Sequence, residues 1–120
     1  MPDEKRQEWV RNLTINAKAL INKLKGMKAV WNQQIIAESQ NTVEIEGNHY
    51  FPPDSVHMQY LQDSNTLTIC AWKGTAGYFH IEVNGERNED AAWIYRNPSQ
   101  DAKLIKDHIA FWKGVEVIND

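Results

Sequence analysis

The sequence contains a single cysteine, Cys70, and this scarcity excludes two classes of small protein. One thiol cannot build an intramolecular disulfide framework, and it cannot supply a zinc site of the Cys-x-x-Cys type. Such a chain suits a reducing compartment. The first six residues are mostly charged and lead into no apolar run of signal-peptide length, so we expect a cytoplasmic protein.

An excess of basic residues and a long apolar run are also missing. Lysine and arginine number 13 against 16 acidic residues, which gives a formal net charge of −3. Binding to the phosphate backbone favours a broad basic surface, so we expect no nucleic-acid partner. No stretch is long and apolar enough to span a bilayer, so we expect no membrane partner either. What remains is a chain of 120 residues, long enough for one domain with one core.

The first 26 residues carry apolar side chains at helical spacing. These are Trp9, Leu13, Ala17, Leu20 and Leu24, separated by steps of four and three residues. This pattern predicts an amphipathic helix, and Gly26 is placed to end it. We interpret residues 1–26 as a helical extension that packs its apolar stripe on the domain or on a second copy of itself, so a homodimer is one expected partner.

From residue 27 the apolar residues recur with a period of two, which is typical of β-strands. Strands are predicted on both sides of Asn32-Gln33, a plausible tight hairpin, and over residues 42–46. Glu44 and Glu46 share one face of the latter stretch, and paired carboxylates can hold a divalent metal. Solvated strand faces carry such pairs routinely, so we expect no metal there.

The histidines also favour the absence of a metal. They are His49, His57, His80 and His108. No two of them have the helical i, i+4 spacing of a zinc site, and none lies in a cysteine-containing motif. We therefore expect neither a metal nor another cofactor.

Two adjacent prolines, Pro52 and Pro53, predict a stiff loop over residues 47–55, because they fix the backbone and remove two amide donors. A short helix is expected next, opened by Pro53 or Asp54 and running through residues 56–61. A turn is then predicted at residues 63–65.

Residues 67–72 have the pattern of a strand with apolar side chains on both faces, so we expect it to be central and covered. Further along, a second helix is predicted through residues 102–109, with Ser99 or Asn97 as its N-cap. A last strand is expected over residues 111–117.

The dipeptide Asn84-Gly85 is the strongest hairpin signal in the chain. A two-residue loop there fixes the register and sets Glu82 opposite Arg87. The same register continues in three further pairs, Tyr78 with Ala91, Ala76 with Trp93 and Gly74 with Tyr95. A bulge in residues 88–90 would instead shift the pairing by one and move Trp93 to the other face.

In that register, small residues lie opposite large aromatic ones and leave a hollow near the open end of the hairpin. Trp93 and Tyr95 form its walls and Lys73 lies at the rim. Concave, aromatic-walled and sparsely polar sites are typical of small-ligand binding. Plain core packing has the same small-opposite-large pattern, so that alternative stays open.

Two sets of candidate site residues follow from these patterns. A nearby Lys73 ammonium could make Cys70 a thiolate, but strand alternation turns Lys73 to the opposite face unless the chain twists there, which favours an inert thiol. The candidates for catalysis are Cys70, Lys73 and His49. The candidates for ligand contact are Asn48, His49, Tyr50, Trp72, Lys73, Tyr78, Trp93 and Tyr95.

Four segments carry a resemblance to a known family. They are EGNHYFPPDSV (46–56), CAWKGTA (70–76), DAAW (90–93) and FWKGV (111–115). In order and with short gaps across residues 27–118, they closely resemble the bacterial and fungal family catalogued as domain of unknown function four hundred and twenty-seven.

The resemblance implies a mainly antiparallel β fold of the β-tent kind, similar to the ligand domain of cereblon and to methionine sulfoxide reductase B. This sequence lacks the two Cys-x-x-Cys zinc knuckles of those relatives, so no structural zinc is expected. The family also carries a nucleotidyltransferase label. The usual transferase pattern places a Gly-Ser turn before the strand with alternating carboxylates, and no such turn precedes Glu44 and Glu46.

Taken together, we expect a mainly β (α+β) protein with antiparallel, β-tent-like sheets. Residues 1–26 would form the helical extension, and residues 27–120 a single β-rich domain with one or two short helices. The leading hypothesis for function is binding of a small, flat or anionic molecule. The alternatives are an enzyme of unknown reaction and a protein–protein interaction module acting through the N-terminal helix.

Overall fold

The computed structural model describes residues 26–120, and β-strands make up most of that range. The strands are β1 (Met27–Trp31), β2 (Gln34–Ser39), β3 (Val43–Ile45), β4 (Asn48–Tyr50), β5 (Leu61–Cys70), β6 (Gly74–Val83), β7 (Glu86–Ile94), β8 (Ile109–Phe111) and β9 (Glu116–Asn119). Short 3₁₀ helices span Pro53–Ser55, Met58–Tyr60 and Gln100–Ile105. The helix predicted within residues 1–26 falls almost wholly outside the described residues. Within them, no helix is long and apolar enough to cross a bilayer.

The strands form three antiparallel sheets. Their orders are β2-β1-β9, β3-β4 and β5-β6-β7-β8. The small β3–β4 hairpin is joined to the four-stranded sheet, because Phe51 and Ile109 exchange backbone hydrogen bonds of 2.8 and 2.9 Å. The prediction of a mainly antiparallel β fold is therefore confirmed, while the more specific β-tent likeness stays a prediction.

Alternation along β6 divides the buried residues into two clusters. Phe79, Ile81 and Val83 pack with β1, β2 and β8 in a large apolar core. Ala76 and Tyr78 face the opposite way and pack with a second cluster beneath the β3–β4 hairpin. The period of two in the sequence thus places one face of the four-stranded sheet in the main core and the other beside the hairpin.

Both predicted two-residue hairpins are present. Asn32 and Gln33 have φ values of 49° and 64°, and Asn84 and Gly85 have φ values of 52° and 80°. Positive φ at both central residues is the requirement of a type I′ turn, which matches the twist of the flanking strands. Asparagine or glycine occupies three of these four positions, and these residue types are what made both turns predictable from the sequence.

The register predicted for β6 and β7 holds only near the turn. Glu82 pairs with Arg87 as expected, but Tyr78 pairs with Trp93 rather than with Ala91. The predicted pairs of Ala76 with Trp93 and Gly74 with Tyr95 are therefore wrong. Two extra residues in β7 cause the shift, and since two is an even number, Trp93 stays on the face that Tyr78 occupies.

A network around Asp90 stabilises this irregularity. Asp90 has a φ of 53°, a left-handed conformation that L-residues rarely adopt. Its carboxylate accepts hydrogen bonds from Ser64 Oγ at 2.5 Å and Thr66 Oγ1 at 2.8 Å. Its backbone N–H donates to His80 Nδ1 at 3.0 Å. These contacts offset the cost of the strained backbone.

The strand predicted to be central is an edge strand. Strand β5 pairs only with β6 among the described strands, and Leu67 and Ile69 are 69% and 85% exposed. The turn predicted at residues 63–65 is instead an irregular stretch inside β5, between Asp63 and Leu67. The apolar residues on both faces of β5 therefore do not show that both of its faces are buried.

Two further predictions, both for the segment after β3, need correction. The expected loop over residues 47–55 begins with strand β4, because Glu46 and Gly47 turn the chain at φ values of 54° and 79°. The single short helix expected from Pro53 or Asp54 through Leu61 is instead two separate 3₁₀ helices, Pro53–Ser55 and Met58–Tyr60, and Leu61 already begins β5.

The two C-terminal elements also differ from the expectation. The second helix ends at Ile105, and Ile109 belongs to β8 because its backbone bonds to Phe51. The expected last strand is divided into β8 and β9 by a turn at Lys113 and Gly114, where φ is 55° and 88°.

We predict that Asp90→Ala lowers the free energy of unfolding by about 2 kcal/mol at neutral pH, because two charged hydrogen bonds are lost at a strained position. The Ser64 hydrogen bond holds the pKa of this carboxyl below its ordinary value, so its stabilisation is present above pH about 4 and is lost on acidification. Denaturant unfolding at several pH values measures both effects. Glu86→Ala, at an exposed position, is the control; equal losses in both variants would contradict the role of Asp90.

Candidate functional site

A cavity of about 290 Å³ lies between the β3–β4 hairpin and the four-stranded sheet. Its lining residues are Asn48, Tyr50, Lys73, Tyr78, Trp93, Tyr95 and Trp112. Since a water molecule takes up about 30 Å³ of liquid, this space suits roughly ten non-hydrogen atoms. It therefore has the size of a one-ring or two-ring molecule.

Regular alternation supplies most of the cavity wall. Tyr78 and Trp93 are cross-strand partners on β6 and β7, and Tyr95 follows two residues after Trp93 on the same face. On β4, Asn48 and Tyr50 are likewise two residues apart and both line the cavity. Strand geometry thus delivers these side chains to one space.

The aromatic walls hold one another in place. The rings of Tyr50 and Trp93 meet edge to face at 6.1 Å, and Trp93 Nε1 donates to the Tyr50 hydroxyl at 3.2 Å. Trp93 also meets Trp112 edge to face at 5.8 Å. Trp112 Nε1 in turn donates to the backbone oxygen of Asp90 at 2.6 Å. Each edge-to-face contact contributes about 0.5–1.5 kcal/mol beyond burial, so the walls are stiff.

Within the part of the chain that the structure describes, Lys73 is the one buried charged residue that lines the cavity. Only 7% of it is exposed, and its Nζ donates to Glu46 Oε1 at 2.5 Å. The ammonium also lies 5.1 Å from the Trp72 ring centroid and 5.9 Å from that of Tyr95. Burial alone would lower the pKa of Lys73, but the Glu46 hydrogen bond and the nearby tyrosines outweigh it and raise the pKa. Lys73 therefore stays protonated and acts as a donor.

The turn that carries Lys73 departs from strand alternation. Strand β5 ends at Cys70, and Ser99 then holds the turn by donating from Oγ to the Trp72 oxygen and from N to the Lys73 oxygen, at 2.5 and 3.0 Å. Because Lys73 lies beyond the end of β5, strand alternation does not determine the direction of its side chain relative to Cys70. Ser99 precedes the Gln100–Ile105 helix as predicted, but its side chain makes no cap hydrogen bond there.

Glu46 connects two turns across one end of the cavity. Its carboxylate is held first by Lys73 and also by the Trp72 side chain, and these hydrogen bonds lower its pKa. Glu46 itself lies at the tip of the β3–β4 hairpin, with 55% of its side chain exposed. The ion pair therefore ties the hairpin to the turn between β5 and β6.

Polar groups without partners also line the cavity. The Tyr95 hydroxyl and the Asn48 carboxamide make no hydrogen bond to another side chain or backbone group within residues 26–120, although Tyr95 is only 5% exposed. Burial raises the pKa of Tyr95, so its phenol is a neutral donor at physiological pH. Tyr78, in contrast, shares a 2.8 Å hydrogen bond with Thr68 Oγ1.

The structure brings together six of the eight residues predicted to contact a ligand. These are Asn48, Tyr50, Lys73, Tyr78, Trp93 and Tyr95. Trp72 contacts Lys73 without lining the cavity. His49 lies between two cavity residues on β4, so its side chain projects to the other face, where Nδ1 hydrogen-bonds Thr42 Oγ1 at 3.0 Å. Whether any of these residues binds a ligand stays a prediction.

Two residues were absent from the predicted ligand contacts. Trp112 lines the cavity, and the repeat of Trp-Lys-Gly at positions 72–74 and 112–114 was the available signal. Glu46 was considered only as a metal ligand, whereas it pairs with Lys73; its neighbour Glu44 lies 3.6 Å from His49. The two carboxylates thus have different partners.

Cys70 lies half-buried against the aromatic cluster, close to Lys73. The backbone N–H groups of Lys73 and then Trp72 lower the pKa of its thiol, and the Lys73 charge adds to this effect. Of the three predicted catalytic candidates, Cys70 and Lys73 therefore lie near one another, and His49 faces elsewhere.

Comparison with known proteins identifies the family. A family model described as a domain of unknown function, DUF427, matches residues 20–120, so the chain belongs to the DUF427 family. The resemblance found in the sequence is confirmed. The short name of that family model refers to nucleotidyltransferases, whereas its description assigns no activity. No curated protein matches the chain.

We predict that Cys70 is alkylated by iodoacetamide with a pH midpoint below the ordinary thiol value of about 8.5, because backbone donors stabilise its thiolate. The rate of alkylation is measured against pH by mass spectrometry. The same chain in denaturant is the matched control, since Cys70 is its only thiol. A native midpoint at or above the denatured one would contradict the prediction.

Proposed function

We propose that this DUF427 domain binds a small planar molecule in the cavity beneath the β3–β4 hairpin. The single observation that carries the proposal is the composition of the cavity wall: five aromatic residues and one buried ammonium around about 290 Å³. Ligand sites are commonly concave and apolar with a few placed polar groups, and this wall has that character.

The aromatic rings favour a flat ligand. Tyr50, Trp93 and Trp112 fix each other through edge-to-face contacts, so little conformational entropy would be lost when a ligand ring packs against them. Stacking on aromatic side chains contributes about 1–3 kcal/mol per base in nucleic-acid complexes, and other flat heterocycles present similar π-faces. The walls therefore supply affinity, while Lys73, Tyr95 and Asn48 supply orientation.

A second candidate function is catalysis beside the same cavity through Cys70. The observation that favours it is the lowered pKa of a half-buried thiol packed against the aromatic cluster. A Cys70→Ser variant tests this candidate once a ligand is known. Unchanged turnover of that ligand, or its binding without any chemical change, would count against the enzyme.

We predict that a thermal-shift screen of planar metabolites, including nucleosides and bases, yields a ligand whose binding depends on Trp93. At a ligand concentration of 100 times Kd, binding stabilises the native state by about 2.7 kcal/mol, which is readily detected. Trp93→Ala should weaken that ligand roughly tenfold or more, because a stacking wall is lost.

Two controls accompany this experiment. Leu67→Ala changes an exposed apolar residue outside the cavity and should leave affinity unchanged. Trp93→Phe keeps an aromatic ring and should retain part of the affinity, while melting curves without ligand report on folding. A ligand that binds wild-type and Trp93→Ala proteins equally would place its site elsewhere.

A further inference from the structure

We infer that the cavity selects electrically neutral planar molecules bearing a carboxamide or ring carbonyl, and discriminates against the matching carboxylates. This inference rests on the proposed function and names the ligand class of the same site. The selecting elements are Lys73 and Tyr95 as donors and Glu46 as the charge that neutralises Lys73.

Free hydrogen-bond donors gather at one end of the cavity. An ammonium has three donors, and Lys73 uses one of them on Glu46. Lys73 Nζ lies 5.9 Å from the centroid of the Tyr95 ring, and that ring lies 6.5 Å from the ring of Tyr50. The Tyr95 hydroxyl has no hydrogen-bond partner within the described part of the chain. A carbonyl oxygen can accept from two such donors at once, because it has two lone pairs.

Charge decides between a carbonyl and a carboxylate. Among residues 26–120, Lys73 is the only charged residue in the cavity wall. Glu46 Oε1 lies 2.5 Å from its Nζ, so the pair is close to neutral as a unit. An anion placed on Lys73 would lie beside Glu46 as well, and like charges at short range disfavour binding. The anion would also lose more hydration free energy on entering the cavity than a neutral carbonyl would.

The nearby cation Lys113 does not reverse the preference for a neutral ligand. Lys113 Nζ lies 5.1 Å from the ring centroid of Trp112 and donates to the Glu89 backbone oxygen at 3.2 Å. Lys113 is exposed, so solvent and salt screen its charge. Lys113 does not line the cavity, whereas Lys73 is part of its wall.

The test compares matched amide and acid pairs: nicotinamide with nicotinate, benzamide with benzoate, and indole-3-carboxamide with indole-3-carboxylate. Affinities are measured by calorimetry at pH 7 on the full chain. We expect wild-type protein to bind an amide at least about fivefold more tightly than its acid, because only the acid is repelled by Glu46.

Glu46→Gln removes that charge at nearly constant size. We expect the acid to gain roughly fivefold in affinity, while the amide changes by less than about twofold. Glu86→Gln removes an exposed carboxylate outside the cavity wall and is the matched control. Tyr95→Phe removes one hydroxyl and keeps the ring; it should weaken the amide about fivefold, and it remains informative if Glu46→Gln fails to fold.

The outcomes separate this inference from the proposed function. Acids binding as tightly as amides, or an amide-to-acid ratio that Glu46→Gln leaves unchanged, overturns the charge selection alone. If no pair binds but the wider screen yields a ligand dependent on Trp93, the inference is again wrong and the proposed function stands. If no ligand depends on Trp93, both are wrong.

Discussion

The fold around the cavity depends on the two-residue irregularity in β7 that Asp90 stabilises. A non-glycine residue in the left-handed region costs about 1–2 kcal/mol, so it persists only where other contacts offset the cost. Here two hydroxyl donors on β5 and the ring nitrogen of His80 on β6 do so. Asp90 thus connects three neighbouring strands at the point where their register changes.

That irregularity determines the shape of the site. Without it, Trp93 would lie opposite Ala76; with it, Trp93 lies opposite Tyr78 and reaches the Tyr50 hydroxyl. The same backbone step directs the Asp90 carbonyl to the indole of Trp112. Two walls of the cavity therefore take their positions from one strained residue, which explains why a polar network lies so close to an aromatic one.

Sequence reasoning recovered what is local and missed what is not. Turn chemistry gave both type I′ hairpins, and a period of two gave the face on which Tyr78, Trp93 and Tyr95 meet. The irregularity at Asp90 was considered only as a shift by one, because its stabilising partners Ser64 and Thr66 lie 26 and 24 residues away. The edge position of β5 also depends on which strand pairs beside it, and no local pattern carries that information.

The same difference between local and long-range information explains which residues of the site could be predicted. Its aromatic walls come from strands, where alternation assigns each side chain to a face, and these residues were predictable. Its charged end comes from turns: Glu46 from the β3–β4 tip and Lys73 from the turn after β5. Side chains in turns follow no regular alternation, so the pairing of Glu46 with Lys73 could not be derived from the sequence. The expectation of a flat or anionic ligand therefore considered Lys73 without its counter-ion. The pairing is the basis on which we propose a neutral carbonyl rather than an anion as the ligand group.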